Sequence, residues 1–418
     1  MRIIRSAAAI AGVLVCLGPA SAGAASHRDE RVYRAAEAHR ADELALLEQI
    51  VNVDSGTGDV AGGEKVAGIL GERMRALGAE VHTEAAEIPD LPPSLVGVWH
   101  GTGKARILVI AHLDTVFGPG TAAQRPFGIE GNRAHGPGVG DEKAGVVNAI
   151  TSLAVLHDLK FADYSTLTLL IDDSEERGSP GSTALITALA KQNQVELNME
   201  PGDPPDALTV WRKGSNNIHV EVSGRAAHAG MAPQDGRNAA AELLHQLGEV
   251  QNAFPHSGDG ITVNLTLLRA GERTNIIPDH AEAVLNVRFR RPGDFDTVFA
   301  RIETAAKSVE VPDTRVTVTH GIGYPPLAEN GGIDALASRA QRIYRELGKT
   351  LTLSGNGGAS ESALAMRAGT PALDGLGLVG GDFHTDHEWI DLDSLLPRLY
   401  LMSRLLMDIS ASPPAATH

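Results

Sequence analysis

"LTLLIDDSEERG", residues 167–178, runs an apolar segment directly into a cluster of carboxylates, and its reading decides the fold. A short continuous apolar run closed by turn-forming residues reads as a strand buried on both faces, the kind that parallel sheets contain. The two glutamates that follow, Glu175 and Glu176, repel each other and raise each other's pKa. For an isolated pair the ordinary explanation is a solvated turn.

A second buried run, "RILVIA" at 106–111, and the helical pattern "EKAGVVNAITSLAVLHDL" at 142–159 stand upstream of it. This alternation, which extends from Arg28 to about Trp211, predicts an α/β domain with helices packed on a mostly parallel sheet. From Lys213 the rhythm changes. "NIHVEVSG" 217–224, "ITVNLTLL" 261–268, "AVLNVRF" 283–289 and "RVTVTH" 315–320 alternate apolar and polar residues, as half-buried strands do. With helical patterns over 237–252 and 295–308 between them, the order is β-α-β-β-α-β, that of a ferredoxin-like domain. Helix and strand patterns of the first kind resume at 332–410. The expected organisation is therefore a catalytic domain in two parts, 26–212 and 326–418, carrying an inserted α+β domain over 213–325.

The first 25 residues begin with Arg2 and Arg5, pass through "AAAIAGVLVCLG" and end in small residues, the layout of a secretory signal peptide cut near Ala22 or Ala24. The chain's one cysteine, Cys16, lies inside that segment, so the mature protein is expected to have no thiol and neither a disulfide framework nor a cysteine-based zinc site. Any metal must be held by His, Asp and Glu. The formal net charge is -16, from 36 Lys+Arg against 52 Asp+Glu, and losing Arg2 and Arg5 gives 34 against 52, or -18. Such a balance argues against nucleic acid or an anionic membrane as partner. No later apolar run reaches the roughly 18 residues of a membrane span. The expected location is secreted or periplasmic.

Metal-capable side chains recur where strands give way to loops, the place where open α/β sheets build their sites. They are His112 and Asp114 in "VIAHLDTVF", Asp141 in "GPGVGDEKAG", Glu175 and Glu176, Glu200 in "LNMEPG", and His384 in "GDFHTDHEW". Two histidines with several carboxylates suit a pair of zinc ions bridged by one carboxylate and one water. Beside a dication the repulsion between adjacent carboxylates reverses sign. One of the pair can then ligate while the other moves a proton.

In these motifs, taken in order over nearly the whole mature chain, the sequence resembles the bacterial glutamate carboxypeptidases. These are secreted, folate-cleaving zinc enzymes of the superfamily that also holds aminoacylase and succinyl-diaminopimelate desuccinylase. The resemblance implies that Asp141 bridges two zinc ions, that His112 and Glu200 complete one and that Glu176 and His384 complete the other. It makes Glu175 the general base and Asp114 the carboxylate orienting His112 through its second ring nitrogen. It further implies a cis peptide after Asp141. "GRAAHAGMAP" matches the segment whose histidine, here His228, reaches across a homodimer to stabilise the oxyanion in the partner's site. "ERTNIIPDHAEAVLNVRFR" matches the segment whose Asn275 and Arg288 hold the substrate's free α-carboxylate, for which an Arg fork is suited. The pattern His-Ser/Thr-x-x-Glu fits "HTDHE" from His384 and favours it over His387 as ligand. Without the family, His228 reads as a turn residue and Arg288 as an exposed strand charge.

The chain also departs from the family. "GGASES" at 357–362 puts Glu361 where an aspartate is usual, and no binding role is carried onto it. The loop after Glu200 has no counterpart of the lysine that meets a glutamate side chain, leaving Arg212 or Lys213 as substitutes. His100, His135, His219 and His245 read as surface or satisfied core groups. The leading expectation is a zinc carboxypeptidase releasing a C-terminal amino acid, glutamate first. An N-acyl-amino-acid deacylase with an apolar acyl pocket and a non-catalytic amino-acid or peptide binding protein stay open beside it.

Overall fold

The computed structural model of the chain describes residues 27–254 and 260–414. The expected signal segment lies outside the described residues. The run that opened the argument is a strand, Thr166–Asp172, and it pairs in parallel with Arg106–His112. The six-stranded main sheet has the order 80–84, 94–100, 166–172, 106–112, 195–198, 372–373. Its last four strands run parallel and the two at the other edge antiparallel, because a hairpin-like connection brings Ser94–His100 back against Thr166–Asp172.

Strands 106–112, 166–172 and 195–198 therefore end at one edge, which sends His112, Glu175 with Glu176, and Glu200 to the same place. Helices Glu30–Val51, Ala144–Asp158 and Leu395–Ala411 cover the sheet with one large apolar core. Ala144–Asp158 is buried on nearly every face, which matches its unbroken apolar composition. Burying that helix takes the loop in front of it, Val139 to Lys143, into the interior as well.

Residues 214–320 form a second sheet of four antiparallel strands in the order 262–270, 280–289, 214–223, 315–320, with helices Ala239–Ala253 and Asp294–Ala305 on one face. This is the ferredoxin-like order, and its core of Ile218, Val220, Leu243, Leu285, Val298 and Ile302 is separate from that of the main sheet. Among the described residues no helix is long and apolar enough to cross a membrane.

Candidate metal centre and its cavity

Each site residue is set by the end of a strand or by a loop pinned from far away in sequence. His112 is the last residue of its strand and is fully buried. Its Nε2 lies 3.2 Å from Asp141 Oδ1, 3.5 Å from Glu142 Oε2 and 3.7 Å from Glu200 Oε1. On the other side, His384 Nε2 lies 3.2 Å from Asp141 Oδ2 and 3.2 Å from Glu176 Oε2. The two oxygens of Asp141 thus face two different histidines. His387 is exposed and takes no part in either group.

Asp141 is aimed by its loop. Gly138, with φ at 69°, is in the left-handed region, where a Cβ would also lie 2.3 Å from the Thr115 side chain. The Asp141–Glu142 peptide is cis, as the family resemblance implies. Glu388, the glutamate of the His-Ser/Thr-x-x-Glu pattern, accepts the backbone N–H groups of Gly138, Gly140 and Asp141 at 3.0, 2.8 and 2.9 Å. Burial pushes its carboxyl up to about 7 in spite of those donors. His384 itself has a left-handed backbone, φ 63°, in the loop that carries it over the sheet edge.

The electrostatics are those of crowded acids. Burial raises Glu175 well above the ordinary carboxylate range, with His112 opposing and Glu361, Glu200 and Glu176 adding to it. Glu176 is pushed up to about 7 by burial and by Asp141. Burial works against a low pKa at Asp141, yet its bonds to His112 and His384 hold it below the usual range. His384 is raised to about 10 by its bonds to Asp141 and Glu176.

Glu142 Oε1 and Oε2, Glu176 Oε1 and Glu361 Oε1 are buried with no hydrogen-bond partner. Buried carboxylate oxygens without donors are costly unless a cation meets them. The donor set of imidazole and carboxylate, without thiol, fits zinc. The side chains on the page therefore fit the metal that the resemblance implies.

Several supporting groups differ from expectation. The backbone carbonyl of Asp114, 3.1 Å from His112 Nδ1, is nearer than its carboxylate at 3.4 Å. That carboxylate accepts the Thr57 hydroxyl and the N–H groups of Glu175 and Glu176, so it fixes the paired glutamates as well as the histidine. Arg212 is not a free cation for a substrate side chain. It is buried, forms a two-point pair with Asp374 at 2.7 and 2.9 Å, and donates to Glu200 Oε2 at 3.1 Å. Asn198 donates to Glu361 and accepts the N–H of Glu200.

A cavity of about 580 Å³ opens from Asp141, Glu175, Glu176, Glu200 and His384 toward the inserted sheet. Ser215, Asn217 and His219, at alternate positions of one strand, line it together with Asn286 and Arg288. The bland reading of His219 is therefore corrected: it is exposed, but it faces the cavity. Arg288 Nε donates to Asn286 Oδ1 at 3.0 Å, and Asn286 donates to Asn217 at 2.9 Å, which fixes the fork across two strands. His228 and Asn275 are not among the residues lining the cavity. They sit together, Ala229 N–H donating to Asn275 O at 3.0 Å. His228 Nδ1 accepts from Gly230 and Met231 N–H at 3.2 and 3.1 Å, which leaves Nε2 as an exposed donor.

A family model described as Peptidase family M20/M25/M40 matches residues 108–408. The chain is 33% identical over 406 residues to Carboxypeptidase G2 of Pseudomonas sp. (strain RS-16), covering 96% of this chain and 98% of that protein. It is 27% identical over 377 residues to the succinyl-diaminopimelate desuccinylase of Gluconobacter oxydans (strain 621H), covering 86% and 96%. Among solved structures, the di-peptidase Dug1p of Saccharomyces cerevisiae has the same fold at a TM-score of 0.74 and 14% identity, covering 93% of this chain and 100% of that one. The metallo-carboxypeptidase Sso-CP2 of Sulfolobus solfataricus gives 0.72 at 16% identity, covering 87% and 98%.

Proposed function

The chain belongs to peptidase family M20/M25/M40, and from that premise we propose that it is a dinuclear zinc carboxypeptidase, secreted or periplasmic, releasing a C-terminal amino acid with glutamate first among candidates. The observation that carries this reading is Asp141, whose two carboxylate oxygens each face a different histidine at 3.2 Å, with buried Glu175 beside them. His112 and Glu200 would hold one ion, Glu176 and His384 the other, with Asp141 between. When bound, the ions supply Lewis-acid polarisation of the scissile carbonyl and acidify water.

The chain's own groups do the rest. Arg288, held by Asn286, takes the free α-carboxylate in a two-point bond and sets the scissile amide over the sheet edge. Glu175 removes a proton from the attacking water and returns it to the leaving nitrogen. Its environment matches that cycle, because a carboxyl raised by burial holds a proton well enough to deliver it. His228, with Nε2 as donor, lies outside its own cavity lining, and we assign it, with neighbouring Asn275, to the partner's site in a homodimer.

The cavity wall of Ser215, Asn217, His219 and Asn286 favours a polar substrate over the apolar acyl group of a deacylase. A panel of N-acyl glutamates, N-acyl leucines and simple dipeptides, run on zinc-loaded protein, tests the reading. N-acyl glutamates are expected to be cleaved fastest, and glutamate α-amides not at all. Faster cleavage of N-acyl leucines would put the deacylase in its place.

A further inference from the structure

Glu142 is the one fully buried carboxylate at the metal centre to which neither the resemblance nor the sequence gives a task. Its exposure is 0%, both oxygens lack hydrogen-bond partners, and it forms one compact group of possible ligands with His112 and Glu200. Its neighbours explain why it cannot turn away. It opens the buried helix Ala144–Asp158, and Gly145 gives it room, since a Cβ there would lie 3.0 Å from Glu142 Cγ and Oε1 and 2.1 Å from Met199 O.

The spacing is informative. Two ligands on one tetrahedral zinc, each at roughly 2.0–2.1 Å, are about 3.3 Å apart. Around His112 Nε2 the carboxylate oxygens of Asp141, Glu142 and Glu200 stand at 3.2, 3.5 and 3.7 Å. Around His384 Nε2 only Asp141 and Glu176 stand so, both at 3.2 Å. We infer that Glu142 is a fourth protein ligand for the ion on the His112 side, so that the two metal positions are unequal: one held by four side chains, the other by three and open to water and substrate. Closed four-ligand sites are characteristic of firmly held zinc, and three-ligand sites of reacting zinc.

This inference rests on the metal-pair reading above, and the test separates the two. Wild-type protein and the Glu142→Gln variant are stripped with a chelator, titrated with zinc against a competing indicator, and measured for bound zinc per chain and for thermal unfolding with and without metal. The wild type should show one tight and one weaker ion. In the variant the tight ion should weaken by more than the roughly 10- to 100-fold that loss of an outer-shell partner costs. Metal-free Glu142→Gln should unfold at or above the wild-type temperature, since an unpartnered buried acid has been replaced by a neutral group, while its gain on adding zinc shrinks. Unchanged zinc affinities in the variant would overturn the inference and leave the metal pair standing. A variant destabilised without metal would make Glu142 a structural residue and overturn it equally. Wild-type protein that bound no zinc would remove the metal reading itself.

Discussion

Replacing Asp114 with asparagine keeps the shape of the most connected carboxylate at the site and removes its charge. Oδ2 accepts the Thr57 hydroxyl at 2.6 Å and the Glu176 N–H at 3.3 Å, while Oδ1 accepts the Glu175 N–H at 3.0 Å and faces His112 Nδ1 at 3.4 Å. An amide offers one acceptor oxygen. Its NH2 must take the Oδ2 side, because only the Thr57 hydroxyl can rotate from donor to acceptor. The Glu176 N–H then stays buried and unpaired, at a cost of about 1–3 kcal/mol. The bonds on the Oδ1 side lose charge assistance, adding about 1 kcal/mol. Together these are about 2–4 kcal/mol, or roughly 30- to 1000-fold at 1.36 kcal/mol per decade. Because the groups released are the turn carrying Glu175 and Glu176 and the ring of His112, Asp114→Asn should lose that factor in kcat/KM on an N-acyl glutamate, with weaker zinc retention on desalting. Thr57→Val, which removes one bond and no charge, should cost less. An Asp114→Asn enzyme within about threefold of wild type, with normal zinc content, would refute the reasoning from this hydrogen-bond set.

Three other outcomes follow from the same geometry. Glu175→Ala should keep its metal content and lose nearly all turnover, whereas Glu176→Ala, which removes a partner of His384, should lose metal too; zinc per chain and rate on both variants decide this. Inactive His228→Ala chains mixed with Glu175→Ala chains should recover activity on forming mixed dimers, because one site then has both groups intact; the expected loss from one missing oxyanion donor, about 10²- to 10³-fold, makes recovery measurable. Burial pushes the Glu43 carboxyl up to about 8, against an ordinary 4.5, although Asn148 donates to it at 2.8 Å. Between these values the folded chain keeps a proton that the unfolded chain has released, so stability is full below about 4.5 and falls as pH rises toward about 8. Glu43→Gln should flatten that slope in chemical unfolding, and an unchanged slope would contradict it.

The sequence carried the main architecture because the two kinds of burial have different rhythms. Continuous apolar runs such as 167–171 mark strands covered on both faces, and alternation at 217–224 marks strands covered on one. It also carried the expected ligands, since each stands at the end of such a run. Glu142 was hidden in "DEK", which reads as a solvated charge cluster at a helix start. It is buried only because the helix behind it is apolar on nearly all faces, a property of the next fifteen residues rather than of its own neighbours. Arg212 looked free because its partner Asp374 lies 162 residues away, and no local pattern announces such a pair. The role of Glu388 had the same obstacle, since the N–H groups it holds are some 250 positions upstream. His219 was misjudged for a different reason: an alternating strand shows which residues share a face, and only the packing of the inserted sheet shows that this face is the cavity wall.

The most direct measurement is amino-acid release from an N-acyl glutamate by zinc-loaded protein, chelator-treated protein and zinc-loaded Glu175→Ala, with bound zinc quantified in each sample. Release of free glutamate by the first alone, with zinc present in both the first and the third, is the expected result. Equal release after chelation, or from Glu175→Ala, would contradict metal-dependent amide hydrolysis at this centre.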